Sequence, residues 1–226
     1  MNRVSQLSHH NSLAALVAAL VRNDGTAAHA YCAPAVAGDR QSFVRDLVDF
    51  ADFVHFVSLL HGQIPGLIDH AAARTVEVSA RAWLIQSIDA FAIERQYLGA
   101  LSVAVGPLPS TSGHNETTTI VSQQRHAMEM LAQSDRRGCA LGTAVTLVLE
   151  WHAIRTILDA GAIRLGIEPP PCALPSRSET LDLLDTLPEP DRLSRAIQFG
   201  ASQLLGQHRG MWDLLQARAT VRTTHR

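Results

Sequence analysis

The stretch SFVRDLVDFADFVHFVSLLH, residues 42–61, decides the fold. Wound at about 3.6 residues per turn, it points Phe43, Val44, Leu47, Phe50, Phe53, Val54, Phe56, Val57, Leu59 and Leu60 to every side of a helix and leaves no wide polar face. A helix of that kind is central. Ser42 is its expected N-cap, and Gly62 and Pro65 are its expected stop. Within it, Asp46, Asp49, Asp52, His55, Ser58 and His61 recur at intervals of three and spiral round the axis, so at least one of these polar groups must lie inside.

Outward from this helix the 3.6-residue period continues, and period-two alternation with β-branched runs is nearly absent, so the expected class is all-α. A first amphipathic helix is expected over Ser12–Arg22, followed by a loop to Arg40. A helix-compatible stretch runs from Leu67 to Val105, with a kink or division at Thr75-Val76-Glu77-Val78, and the loop Gly106–Gly113 ends it. Helices from Asn115 to Gln133 and from Asp135 to Arg164 follow, the second capped by Ser134. A Pro-rich linker, Pro169–Pro175, leads to helices over Ser178–Leu184 and Asp191–Arg218. The organisation expected is one domain, 1–226: a bundle core over 42–166, an N-terminal helix and loop over 1–41, and a linker and C-terminal helices over 167–226 that cover the bundle.

All 19 residues counted as Lys+Arg are arginine. With no lysine, Schiff-base and pyridoxal chemistry, a Walker A lysine and a kinase strand lysine are excluded. A net charge of −2 gives no global field to draw the chain onto nucleic acid, and no nucleic-acid partner is expected. A phosphate-binding role needs clustered arginines, whereas these are spread along the sequence from Arg3 to Arg226. Cys32, Cys139 and Cys172 lie far apart and are odd in number, which fits a reducing, cytoplasmic setting. Arg3, the apolar run Leu13–Val21 and Ala28-His29-Ala30 imitate a secretion signal, but His9, His10, Asn11, Arg22, Asn23 and Asp24 break its layout. No uninterrupted apolar run reaches the ~18 residues of a membrane-spanning helix.

Carboxylates on apolar helix faces are the chemistry-bearing feature. Glu150 sits among Cys139, Gly142, Thr143, Thr146 and Ala153, a small-residue face that lets another helix approach closely. Glu94 lies with Leu84, Phe91, Leu98 and Leu101, next to Arg95 and one turn from Tyr97. Inward carboxylates and histidines from several helices are how ferritin-like bundles hold iron or manganese, which makes Asp49, Asp52, His55, Glu94 and Glu150 a candidate metal set. The Glu-x-x-His motif of that class is absent; the sequence offers Asp52-x-x-His55, Glu94-x-x-Tyr97 and a reversed His126-x-x-Glu129. A haem-oxygenase-like pocket near His55, His61 or His70, with oxidoreductase activity, is a further alternative. The leading expectation is a structural or interaction protein in which Arg81, Arg95, Arg125 or Arg155 neutralises the carboxylates. Self-association or a protein partner is expected through the terminal helices, the last of which carries Leu204, Leu205, Met211, Trp212, Leu214 and Leu215.

Other catalytic patterns are weaker. Ser110-Thr111-Ser112-Gly113-His114 reads as a turn with hydroxyl caps, because Gly-x-Ser-x-Gly is missing, and closely spaced Cys/His pairs for structural zinc are absent.

The block Gly106-Pro107-Leu108-Pro109-Ser110-Thr111, together with QRHAMEMLAQSDRRGCALG at residues 124–142, resembles an all-helical family of unknown function found mainly in alphaproteobacteria. The resemblance implies an all-helical bacterial protein and carries over no activity.

Overall fold

In the computed structural model, residues 12–39, 42–109, 114–188 and 191–224 are described. Among them are nine α-helices and no strand, an all-α bundle: α1 (Leu13–Asp24), α2 (Ala33–Val36), α3 (Leu47–His61), α4 (Leu67–Arg74), α5 (Arg81–Ala104), α6 (His114–Ala132), α7 (Cys139–Arg164), α8 (Arg177–Asp185) and α9 (Asp191–Thr224). The imitation of a signal's leading residues and most of the Ser110–His114 loop fall outside the described residues.

The decisive stretch is central, with Phe50, Phe53, Val54, Phe56 and Val57 all buried. Its start differs from the expectation. Phe43–Arg45 forms a 3-10 turn, and Asp46 rather than Ser42 caps α3, its carboxylate accepting from the Val48 N–H at 2.8 Å. The long stretch divides where expected: α4 ends at Arg74, Thr75–Glu77 is non-helical, and α5 begins at Arg81. The expected Ser134 helix cap is instead a turn, in which the Ser134 hydroxyl accepts from the Arg136 N–H at 3.2 Å. Helix α7 starts at Cys139, four residues after the expected Asp135 and just past Gly138 at φ 94°.

Helix α7 is the axis, packed against α4, α6 and, most extensively, α9. It has the length and apolarity of a membrane span, with mean hydropathy 1.2, yet 83% of that window is buried inside the protein. Its small-residue face acts as anticipated. A Cβ on Gly142 would lie 2.2 Å from the Ile197 carbonyl oxygen, and one on Gly200 2.2 Å from that of Cys139, so the α7 and α9 backbones touch.

Helix α9 is therefore no outer cover. It packs on α1, α3, α6 and α7, and Leu204, Leu205, Met211, Trp212 and Leu215 are buried among them. Helix α1 likewise buries Leu13, Ala14, Val17 and Val21 in the chain's own core. The apolar residues that suggested an interface through the terminal helices are thus spent on internal packing. The outward face of α5 is the apolar surface instead: Ile85, Ile93 and Val103 are exposed, and Asp89 is the one exposed charge between Ala82 and Ala104.

Candidate functional site

The five side chains of the candidate metal set are distributed over separate networks. Asp52 is wholly buried and receives three hydrogen bonds from α9: Arg218 Nε at 2.7 Å, Arg218 Nη2 at 3.0 Å and Arg222 Nη1 at 2.6 Å. Arg222 also forks onto Asp49, its Nε donating to Oδ1 at 3.0 Å. Burial raises the Asp49 carboxyl above its ordinary value, and the Arg222 hydrogen bond and charge oppose that rise. His55 turns away from both acids and pairs through Nε2 with the Gly106 carbonyl at 2.8 Å.

Glu94 lies in a second network between α5 and α7. Its Oε2 accepts from Trp151 Nε1 at 2.9 Å and its Oε1 from Arg155 Nη1 at 2.5 Å. Arg155 continues through Nε to Asp159 at 2.6 Å, lies 4.5 Å from the Tyr97 ring centroid, and donates to the Pro170 carbonyl. Burial disfavours the Arg155 charge, but Asp159 and Glu94 outweigh it and leave the guanidinium above its ordinary value. The Tyr97 hydroxyl donates to the same Asp159 oxygen at 2.9 Å.

Glu150 belongs to a third network and has no arginine. Its Oε2 accepts from the Thr26 N–H and hydroxyl, both at 2.8 Å, and faces His208 Nδ1 at 3.5 Å. Gly25 makes this possible: a Cβ there would sit 2.3 Å from Glu150 Oε1. His208 Nε2 meets His61 Nε2 at 3.0 Å, and Trp212 Nε1 donates to the Thr26 hydroxyl at 3.0 Å. With His208 donating from Nδ1 and accepting at Nε2, His61 donates from Nε2, and its Nδ1 is left without a partner, as observed. Burial, then the neighbouring His208 and Arg95, hold His61 well below the ordinary histidine value, so it is neutral.

These positions do not fit a di-iron or di-manganese centre. Among the described residues no group of three His, Cys, Asp or Glu side chains could hold a metal ion, and guanidinium, indole and hydroxyl donors already bond to Glu94, Asp52 and Glu150. Nor do the candidate haem histidines share an open face: His61 is tied to His208, His55 to Gly106, and His70 to Gln133 Nε2 at 3.3 Å. His126 is exposed, and Glu129 pairs with Arg125 at 3.4 Å rather than with it. Of the four arginines proposed as partners, Arg155 is the one that neutralises a member of the set, while Arg95 serves Asp69 at 2.5 Å. Arg218, Arg222 and His208 were not anticipated. Their sequence signal is the i, i+4 spacing of Arg218 and Arg222 on α9, which matches the i, i+3 spacing of Asp49 and Asp52 on α3.

The molecule is thus a helical bundle whose inward carboxylates are closed off by donors from other helices. The chain belongs to a family of unknown function, DUF6975, whose profile matches residues 21–223. No curated protein and no solved structure matches it.

Proposed function

We propose that this chain is a non-catalytic structural or interaction protein, in which the buried Arg–carboxylate–His networks fix how the helices dock. The observation that supports this reading is that Asp52, Glu94 and Glu150 are buried, and both oxygens of Asp52 and Glu94 and the Oε2 of Glu150 accept from donors of the chain itself. A catalytic carboxylate must reach the group it protonates or deprotonates, and these do not. Three pockets of about 550, 710 and 570 Å³ lie at the surface and are lined by residues other than these carboxylates. Exposed Ile85, Ile93 and Val103 give an interaction role its apolar surface.

Elemental analysis and a visible spectrum of untagged protein test the reading. Iron and manganese far below one per chain, with no visible absorption band, are expected; stoichiometric metal or a haem band overturns it.

A further inference from the structure

Two pairs of arginines that are far apart in sequence line one pocket of about 550 Å³: Arg136 and Arg137 before α7, and Arg192 and Arg195 in the first two turns of α9. A chain with more acidic than basic residues thus gathers four of its 19 arginines at one place. The close α7–α9 crossing brings them together. A Cβ on Gly138 would lie 2.6 Å from Leu193 Cδ1 and 3.1 Å from the Leu193 carbonyl oxygen, so the turn carrying Arg136 and Arg137 rests on the segment carrying Arg192 and Arg195. Backbone contacts at Gly142 and Gly200 lock that placement, which puts the site on rigid elements.

Two of the guanidinium groups are held in place from outside the pocket. Arg137 Nε donates to Glu77 Oε1 at 2.7 Å, and the Arg136 guanidinium carbon lies 5.3 Å from the Phe199 ring centroid. Arg192 and Arg195 have no acidic partner among the described residues. All four side chains are exposed, and arginine cannot shed its charge at any working pH, so the positive charge that Glu77 does not offset at Arg137 is open to an anion from solution. The amino ends of α7 and α9 add positive potential of the same sign. Planar guanidinium forks match the oxygens of a phosphate group, and the volume falls within the ~300–1,000 Å³ of small-molecule sites.

We propose that this pocket binds the phosphate group of an anionic ligand, with Arg192 and Arg195 as its principal ion-pair donors and Arg136 and Arg137 closing the opposite side. The proposal goes beyond the non-catalytic reading and stands independently of it. The same chemistry is offered by a soluble organic phosphate and by an anionic phospholipid headgroup.

Calorimetric titration with inorganic pyrophosphate, paired with flotation on phosphatidylglycerol and phosphatidylcholine vesicles, tests it. Saturable one-to-one binding of pyrophosphate is expected, weakened at least about tenfold by Arg192→Gln with Arg195→Gln and retained in Arg177→Gln on α8. Thermal melts of the variants, which change only exposed side chains, verify folding. Pyrophosphate binding without vesicle binding assigns a soluble phosphate. Phosphatidylglycerol-selective flotation that the double variant abolishes assigns a headgroup. Absence of both, or binding that the double variant leaves unchanged, overturns the proposal.

Discussion

Arg155 Nη1 donates to Glu94 Oε1 at 2.5 Å and joins α7 to α5 where both side chains are almost fully shielded from water. Arg155 also serves Asp159 and the Pro170 carbonyl, so it ties the Pro-rich segment to the core as well. Removing one partner of such a pair strands the other charge in a low dielectric. Arg155→Met is expected to destabilise the protein by about 3–5 kcal/mol, and Glu94→Gln is expected to destabilise it too, since its single amide oxygen can accept from Trp151 or from Arg155 but not both and its NH2 then faces a donor. The combined Glu94→Leu, Arg155→Met variant, which removes both charges, should recover much of that loss. Urea unfolding of the three variants, read as a double-mutant cycle, measures the coupling.

Asp52 and the carboxyl-terminal end of α9 make a second case with an internal contrast. Arg218 and Arg222 both reach Asp52, but the Arg218 side chain is 6% exposed and Arg222 12%, and Arg222 also serves Asp49. With either arginine removed, the other still faces the buried carboxylate. Single Arg218→Ala or Arg222→Ala changes are expected to cost about 1–3 kcal/mol each, and the pair together more than their sum. Denaturant midpoints of the singles and the double decide this; simple additivity would show that the arginines do not share Asp52.

Helix α3 was legible because composition alone makes it apolar all round, and Glu94 and Glu150 were legible as buried because each sits on an apolar face of its own helix, whereas α3 showed only that one of its polar groups lies inside and not that it is Asp52. The break at Thr75–Glu77 followed from its β-branched residues. What the sequence hid was who answers each carboxylate. Arg218 is 166 residues from Asp52, and His208 is 58 from Glu150, whereas a helical wheel reports only neighbours on one helix. The same limit made α9 look like a cover, since its apolar stripe does not say how many helices press on it. The late start of α7 has a long-range cause too: Gly138 must turn against Leu193 on α9.

Two pairs of helix glycines are expected to respond in opposite directions to alanine. At Gly142 and Gly200 an added methyl meets a backbone carbonyl at 2.2 Å, which cannot swing aside as a side chain can. Gly142→Ala and Gly200→Ala are expected to destabilise by at least about 1–3 kcal/mol through forced separation of α7 and α9. Gly99 in α5 and Gly206 in α9 are exposed, with nothing near the added atom. There alanine should stabilise by about 0.5–1 kcal/mol through helix propensity alone. Thermal melts of the four single variants test both signs; a neutral Gly142→Ala would mean the helices do not touch there.

The His61–His208 contact gives the protein an acid-sensitive point. His61 lies between the rings of Phe91 on α5 and Trp151 on α7, with His208 of α9 at its Nε2 and the Arg95 charge nearby. Glu150 reaches it only through His208. Its folded value is held well below 6.5, so below that pH the unfolded chain takes up a proton that the folded chain refuses. Unfolded His61 therefore binds more protons, and stability falls as pH drops, by up to ~1.4 kcal/mol per pH unit from this one group. In His61→Phe that slope should disappear. Urea unfolding of wild type and variant at neutral and mildly acidic pH compares the slopes, and equal slopes would place the acid sensitivity elsewhere in the chain.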